Sequence, residues 1–206
     1  MNAALLVDLA VKVAILVFSL IPIVSPESSH FAGKAMGVRA LVYPAMALLI
    51  PAIWLLAGRP RPYPVAADIA FGLPFAIDAG GNVFGLFAIS GFDALPHFLG
   101  WFFLSTALGM AVAPLLDRRW VAFVIVLGMG AVVDILWEAG EFALMKSGAS
   151  GLQLTYENTI QDLLVSLAGA ALAATAITTI WWPPPETPSN LFGWTRSPEG
   201  AGGGGS

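Results

Sequence analysis

GMGAVVDILWEAGEFALMK, residues Gly128 to Lys146, has the apolar character of the second half of a membrane-spanning helix, yet it carries Asp134, Glu138 and Glu141. These acids stand at i, i+4 and i+7, so one helical face presents all three. An acid in the hydrocarbon core costs roughly 3 kcal/mol or more unless it is paired, wetted or bound to an ion. Three on one face therefore mark a site, and the rest of the chain is read for what could surround it.

Composition sets the class. Hydrophobic residues make up 58% of the 206 and charged residues only 11%, far from a soluble average and typical of an integral membrane protein. Cysteine is absent, which excludes disulfides, thiolate nucleophiles and thiolate metal sites. The net charge is −4 and no basic cluster is present, so nucleic acid is excluded as a partner.

About 20 predominantly apolar residues are needed to span a bilayer. Six segments qualify: Ala3 to Val24, Ala40 to Ala57, Val65 to about Phe87, Ala94 to Leu116, Trp120 to about Met145, and Thr159 to Trp182. The fold class is all-α, a polytopic integral membrane protein of about six transmembrane helices. The first segment lacks a basic start and a small-residue cleavage site and reads as a retained helix. Its Asp8 and Lys12 are read as a snorkelling i, i+4 pair. The third is semi-polar, with Asp68, Asp78 and Asn82, and reads as broken by Pro74, Gly80 and Gly81. Residues 1–182 form one membrane domain; 183–200, rich in proline, read as a cytoplasmic tail, and 201–206 as an expression linker. On the last helix Ser166, Ala170 and Ala174, with Gly169 and Ala173, form a small-residue face suited to close packing.

Orientation follows from Lys and Arg in short loops. Arg59, Arg61, Arg118, Arg119 and Arg196 lie on one side with the N-terminus, against Lys34, Arg39 and Lys146 on the other. That bias predicts a multi-pass protein of the cell inner membrane with both termini cytoplasmic. Trp54, Trp120, Trp181 and Trp182 fall at the cytoplasmic boundary, as an aromatic belt would.

On this topology the polar groups converge at the outer end. Asp78 and Asn82 end the third segment, Asp93 and His97 open the fourth, Asp134, Glu138 and Glu141 occupy the outer half of the fifth, and Asn158 and Asp162 open the sixth. Plainer readings exist for several. Asp93 is placed to cap a helix, Asn158 and Asp162 to cap and charge another, and Asp78 with Asn82 to make a turn at Gly80-Gly81. His30 reads as plain loop. Glu138 and Asp134 lie too deep for such roles. Ser105 is two turns from His97 and does not pair with it, and Lys146 is the nearest base to the site.

Carboxylates, an amide and one histidine suit a divalent metal ion bound through oxygen, magnesium, manganese or calcium rather than zinc. The metal-free alternative is a proton-sharing carboxylate cluster working with His97 as general acid and base. HExxH, GxSxG and Walker motifs are absent.

FDALPHFLG (Phe92 to Gly100), WEAGEF (Trp137 to Phe142) and YENTIQDLLVSLAGA (Tyr156 to Ala170) together resemble the YjdF-like family of bacterial inner-membrane proteins and, more loosely, VanZ-like proteins, which are linked to glycopeptide resistance and the cell envelope. The resemblance covers Asp93 to Gly169. It implies that Asp93, His97, Glu138, Glu141 and Asp162 are family positions. Asn158 stands where the family pattern has Asp.

The leading expectation is a metal-assisted hydrolase or transferase acting on a lipid or lipid-linked cell-envelope substrate. Glu138, His97 and Asp162 would bind the ion or act as base, with Asp93, Glu141, Asp134, Asn158, Asp78 and Asn82 binding or orienting. A non-enzymatic binder or small transporter of a cationic or lipid ligand remains open, as does a structural subunit whose acids pair with a protein partner.

Overall fold

Helices α1 (Ala3–Val24), α2 (Met36–Ala47), α3 (Leu49–Leu56), α4 (Val65–Val83), α5 (Ala94–Val112), α6 (Arg119–Lys146) and α7 (Tyr156–Thr179) follow one another in the computed structural model. It describes residues 3–27, 30–59, 62–149 and 154–182. Two 3-10 turns, Leu86–Ala88 and Ala113–Leu115, complete the regular structure among these residues. The expected tail and linker, and Arg61 and Arg196 of the charge count, lie outside the described residues.

Five segments are long and apolar enough to cross a membrane: α1, α2 with α3, α5 with the turn after it, α6 and α7. Their apolar side chains point outward in number; Leu6, Leu9, Val13 and Leu16 of α1 are exposed, as are Val132, Leu136 and Phe142 of α6. The interior instead holds Asp8, Asp68, Asn82, Asp134, Glu138 and Asp162. Apolar groups outside and charges inside is the arrangement that lipid, not water, stabilises. The protein is an all-α polytopic membrane protein.

The remaining segment, the third in the sequence, is α4; it has 19 residues, enough for a span, and is kept from being as apolar as the rest by Asp68, Asp78 and Asn82. It lies between α1 and α5, so these polar groups meet protein rather than lipid. The expected break at Pro74, Gly80 and Gly81 is not present; α4 runs through all three. The glycines serve packing, since a Cβ at Gly80 would meet the Phe18 ring of α1 at 3.3 Å and one at Gly81 the Phe87 ring at 2.8 Å. The turn falls later, at Gly85, whose φ of 67° favours glycine. A break does occur in the second segment, at Leu48 between α2 and α3. Pro51 has no N–H to give Ala47 and its ring crowds that carbonyl, which favours a break just before it.

Small residues on α7 seat it deeply, as their spacing predicts. Ser166, Ala170, Ala173 and Ala174 are all buried. A Cβ added at Gly169 would lie 2.3 Å from the Phe98 carbonyl oxygen, so α5 and α7 are in backbone contact there.

At the end opposite the acid-rich site, Lys12 does not snorkel. Its Nζ donates to Asp8 Oδ1 at 2.6 Å and to Asp68 Oδ2 at 2.5 Å on α4, and the Tyr63 hydroxyl donates to Asp68 as well. Burial, then the Asp68 hydrogen bond, pushes the Tyr63 phenol above its usual pKa. Asp8 and Asp68 are both buried, so one lysine compensates two enclosed carboxylates. Lys12→Met should cost about 3–5 kcal/mol, the loss typical when one partner of a buried pair is removed. Lys12→Met with Asp68→Asn should recover part of it. Unfolding in mixed detergent micelles would measure both.

Candidate functional site

Seven of the nine polar groups expected to converge line one cavity. The ends of α4 and α6 and the starts of α2, α5 and α7 surround a cavity of about 160 Å³. Asp78, Asn82, Asp93, His97, Glu141, Asn158 and Asp162 line it, with Trp101, Leu104 and Trp137 forming an apolar wall.

The largest departure from the sequence reading is Arg39. It belongs to the first turn of α2, not to a loop, and it is the base of this site in place of Lys146. Its Nη1 lies 2.5 Å from Asp78 Oδ2 and from the Tyr43 hydroxyl, and Tyr43 in turn donates to Asp78 at 2.6 Å. Its Nη2 stands 3.6 Å from Glu141 Oε1. Asp78 and Glu141 are thus committed to a cation from α2, 39 residues from Asp78. Arg39 could have been suspected from its i, i+4 spacing with Tyr43; the Ala40 start assigned to the helix concealed it.

Lys34, just before α2, is the second cation. Its Nζ donates to Asn82 Oδ1 at 3.2 Å and lies 5.0 Å above the Phe87 ring. Among the described residues it forms no salt bridge. Burial first, then the Arg39 charge, lowers its pKa. Asn82 also donates to the Asp78 carbonyl oxygen at 3.0 Å, so Asp78 and Asn82 hold cations rather than make a turn.

The capping readings give way as well. Asp93 has helical backbone angles and makes no side-chain cap bond, because the chain already coils before it. Its carboxylate is left to the cavity. Thr155, not Asn158 or Asp162, caps α7 by accepting from the Asn158 N–H at 3.1 Å. Asp162 sits in the second turn, 3% exposed.

His97 is the hub. Nδ1 lies 3.3 Å from Ser166 Oγ on α7, and Nε2 lies 3.9 Å from Asp162 Oδ2. The expected absence of a His97–Ser105 pair is matched, but a serine does meet the imidazole: Ser166, which the sequence presents only as a small packing residue. Ser166 also stands against Asp134. Two sets of possible ligands share the imidazole. Asp93, His97 and Asp162 form one, and His97, Asp134 and Glu138 the other, with the ligating atoms in each within 4.8 Å of one another. The first set lines the cavity; Asp134 and Glu138 lie behind it. The expected trio of Glu138, His97 and Asp162 is therefore divided between the sets.

These carboxylates are under-satisfied. Both oxygens of Glu138, Oδ1 of Asp134 and Oδ1 of Asp162 are buried with no hydrogen-bond partner among the described residues. An ionised carboxylate enclosed without partners is costly, so these groups call for protons or a cation.

Fold and site together define a polytopic α-helical membrane protein with a cavity at one end, lined by carboxylates, a histidine and two cationic side chains. Comparison with protein-family models, curated proteins and solved structures finds no match. The residues alone carry the functional reading.

Proposed function

We propose that the protein is a membrane-embedded, metal-assisted hydrolase or transferase acting on a lipid or lipid-linked substrate of the cell envelope. One observation carries this reading: the ligating atoms of Asp93, His97 and Asp162 cluster within 4.8 Å of one another on the wall of a cavity that a substrate can enter. The donor set is two carboxylates and one imidazole, which suits magnesium or manganese better than zinc. When bound, such an ion supplies Lewis-acid polarisation and an activated water. Asp93, Asp162 and His97 Nε2 would hold it. Nδ1–H would donate to Ser166, which stands against Asp134, a carboxylate-backed arrangement that keeps the Nε2 lone pair free for the ion. A neutral imidazole offers one lone pair, so the set with Asp134 and Glu138 is an alternative seat for the same ion.

Orientation is part of the proposal. Arg59, Arg61, Arg118, Arg119 and Arg196, which the sequence order assigns to the opposite end, outnumber Lys34, Arg39 and Lys146 at the cavity end, which supports an extracytoplasmic cavity in the inner membrane. Membership of the YjdF-like family is proposed on the same residues, Asp93, His97, Glu138, Glu141 and Asp162.

Purified full-length protein loaded with Mn²⁺ and dialysed should retain about one equivalent, as a carboxylate–imidazole site would. His97→Ala and Asp162→Asn should lose it, together with any turnover of lipid phosphates or lipid-linked esters. Retention in Asp162→Asn but not in Glu138→Gln would move the ion to the inner set. No retention in the wild type would sink the reading.

A second reading is favoured by one feature. Asp78, Asp93, Glu141 and Asp162 outnumber Lys34 and Arg39 around the cavity, as a binder of a cationic ligand would require. A conduit is less well supported, because Ile15, Tyr43, Ala47, Phe75 and Ala79 form a buried apolar cluster on the helices that connect the two polar ends. Saturable binding of an amine without metal would favour the binder.

A further inference from the structure

We infer that Lys34, with Arg39 behind it, is an anion subsite that holds a phosphoryl group in the cavity. The inference names a substrate class for the activity proposed above and rests on that reading for its catalytic meaning, though not for binding itself.

Three observations carry it. Among the described residues Lys34 and Arg39 are the two Lys or Arg side chains on the cavity wall, and Asp93, His97 and Asp162 line the same space. A ligand held by Lys34 therefore shares the cavity with the proposed ion seat. Second, the two cations are not equally committed. Arg39 has short bonds to Asp78 and Tyr43 and only a long 3.6 Å approach to Glu141. Lys34 rests on a neutral amide oxygen and an aromatic face. An ammonium with three donors, one of them on Asn82, retains donors for a ligand. Third, the nearest carboxylates are already taken by Arg39: Asp78 lies 2.5 Å from its Nη1 and Glu141 3.6 Å from its Nη2, so the Lys34 charge is offset by no salt bridge among the described residues. The oxygens of a phosphoryl group would accept from its remaining N–H donors.

The surroundings suit an amphiphile. α2 packs on α1 and α4, while α6 packs on α5 and α7; across the cavity the two meet through the long Arg39–Glu141 pair. Trp101, Leu104 and Trp137 give the wall an apolar stretch. The shared chemistry is a phosphate ester, from a lipid headgroup or a soluble phosphorylated compound.

The test uses full-length protein in detergent, with native mass spectrometry counting bound lipid from equimolar phosphatidic acid and phosphatidylcholine, and inorganic phosphate titrated separately against the fluorescence of the tryptophans. Wild type should retain phosphatidic acid preferentially. Lys34→Ala should weaken that retention about tenfold, the worth of one charge-assisted hydrogen bond, and Lys34→Arg should restore most of it. Lys34 precedes α2, so its loss leaves the helix packing intact; detergent unfolding would confirm that. A saturable, Lys34-dependent response to inorganic phosphate without phosphatidic acid retention supports the subsite and assigns it a soluble ligand. Equal retention of the two lipids with no phosphate response, or retention unaffected by Lys34→Ala, overturns the inference. If Lys34-dependent binding persists while the protein holds no Mn²⁺, the subsite stands and the metal-assisted activity falls. If Mn²⁺ is held and Lys34 is silent, the reverse follows.

Discussion

Gly169→Ala is expected to pry α5 from α7 and to lower stability by about 2–3 kcal/mol, the upper part of the range for overpacking a close contact. The reason is local and severe. The new Cβ would lie 2.3 Å from the Phe98 carbonyl oxygen and 3.1 Å from the Phe102 nitrogen, and both are backbone atoms that no rotamer change can move. Phe98 adjoins His97, so the displacement should also open the 3.3 Å contact between His97 and Ser166 and with it the proposed ion seat. Gly140→Ala is the control. It lies inside α6 with nothing within 4 Å of the added atom, and removing an interior helical glycine should be neutral or stabilising by up to about 1 kcal/mol. Detergent-unfolding midpoints for the two variants, with Mn²⁺ retention measured in parallel, check both effects. Equal behaviour of the two variants would mean that α5 and α7 do not meet at Gly169.

Arg39→Met should be comparably damaging for an electrostatic reason. The side chain is largely enclosed and holds Asp78 at 2.5 Å while reaching toward Glu141. Without it, two carboxylates remain at the cavity with no nearby cation but Lys34 among the described residues, and losses of about 3–5 kcal/mol are typical for removing one member of a buried pair. Arg39→Met combined with Asp78→Asn should cost much less than the two single changes added together. The difference, read from a double-mutant cycle, is the coupling of the pair. Additive losses would show that Arg39 and Asp78 act independently. Because Arg39 also reaches Glu141 on α6, Arg39→Met should make the cavity more permeable to water-soluble quenchers of tryptophan fluorescence.

What could be read from the chain without coordinates was local. Runs of about 20 apolar residues locate α1, α5, α6 and α7 within a few positions, because a span is a property of consecutive residues. The gathering of Asp78, Asp93, Glu138, Asp162 and their neighbours at one end also follows from order alone: alternate crossings return the same ends to the same side. Even the deep seat of α7 was visible in the four-residue spacing of Ser166, Ala170 and Ala174.

The pairings were not visible, since they depend on how each helix is rotated and tilted against its neighbours. Arg39 reaches Asp78 and Glu141 across large sequence separations. Lys12 turns inward only because α4 brings Asp68 beside it. Ser166 meets His97 because Gly169 lets α5 and α7 touch. Pro74 and its glycines have the composition of a break, yet α4 continues because α1 and α5 enclose it. The sequence by itself determined that acids lie buried at one end of a membrane bundle. Tertiary structure decided which of them are neutralised by the chain's own cations, Asp78 and Glu141, and which are left for a ligand, Asp93, Asp162, Asp134 and Glu138. Compensation between distant charges is a property of helix packing and cannot be read from periodicity.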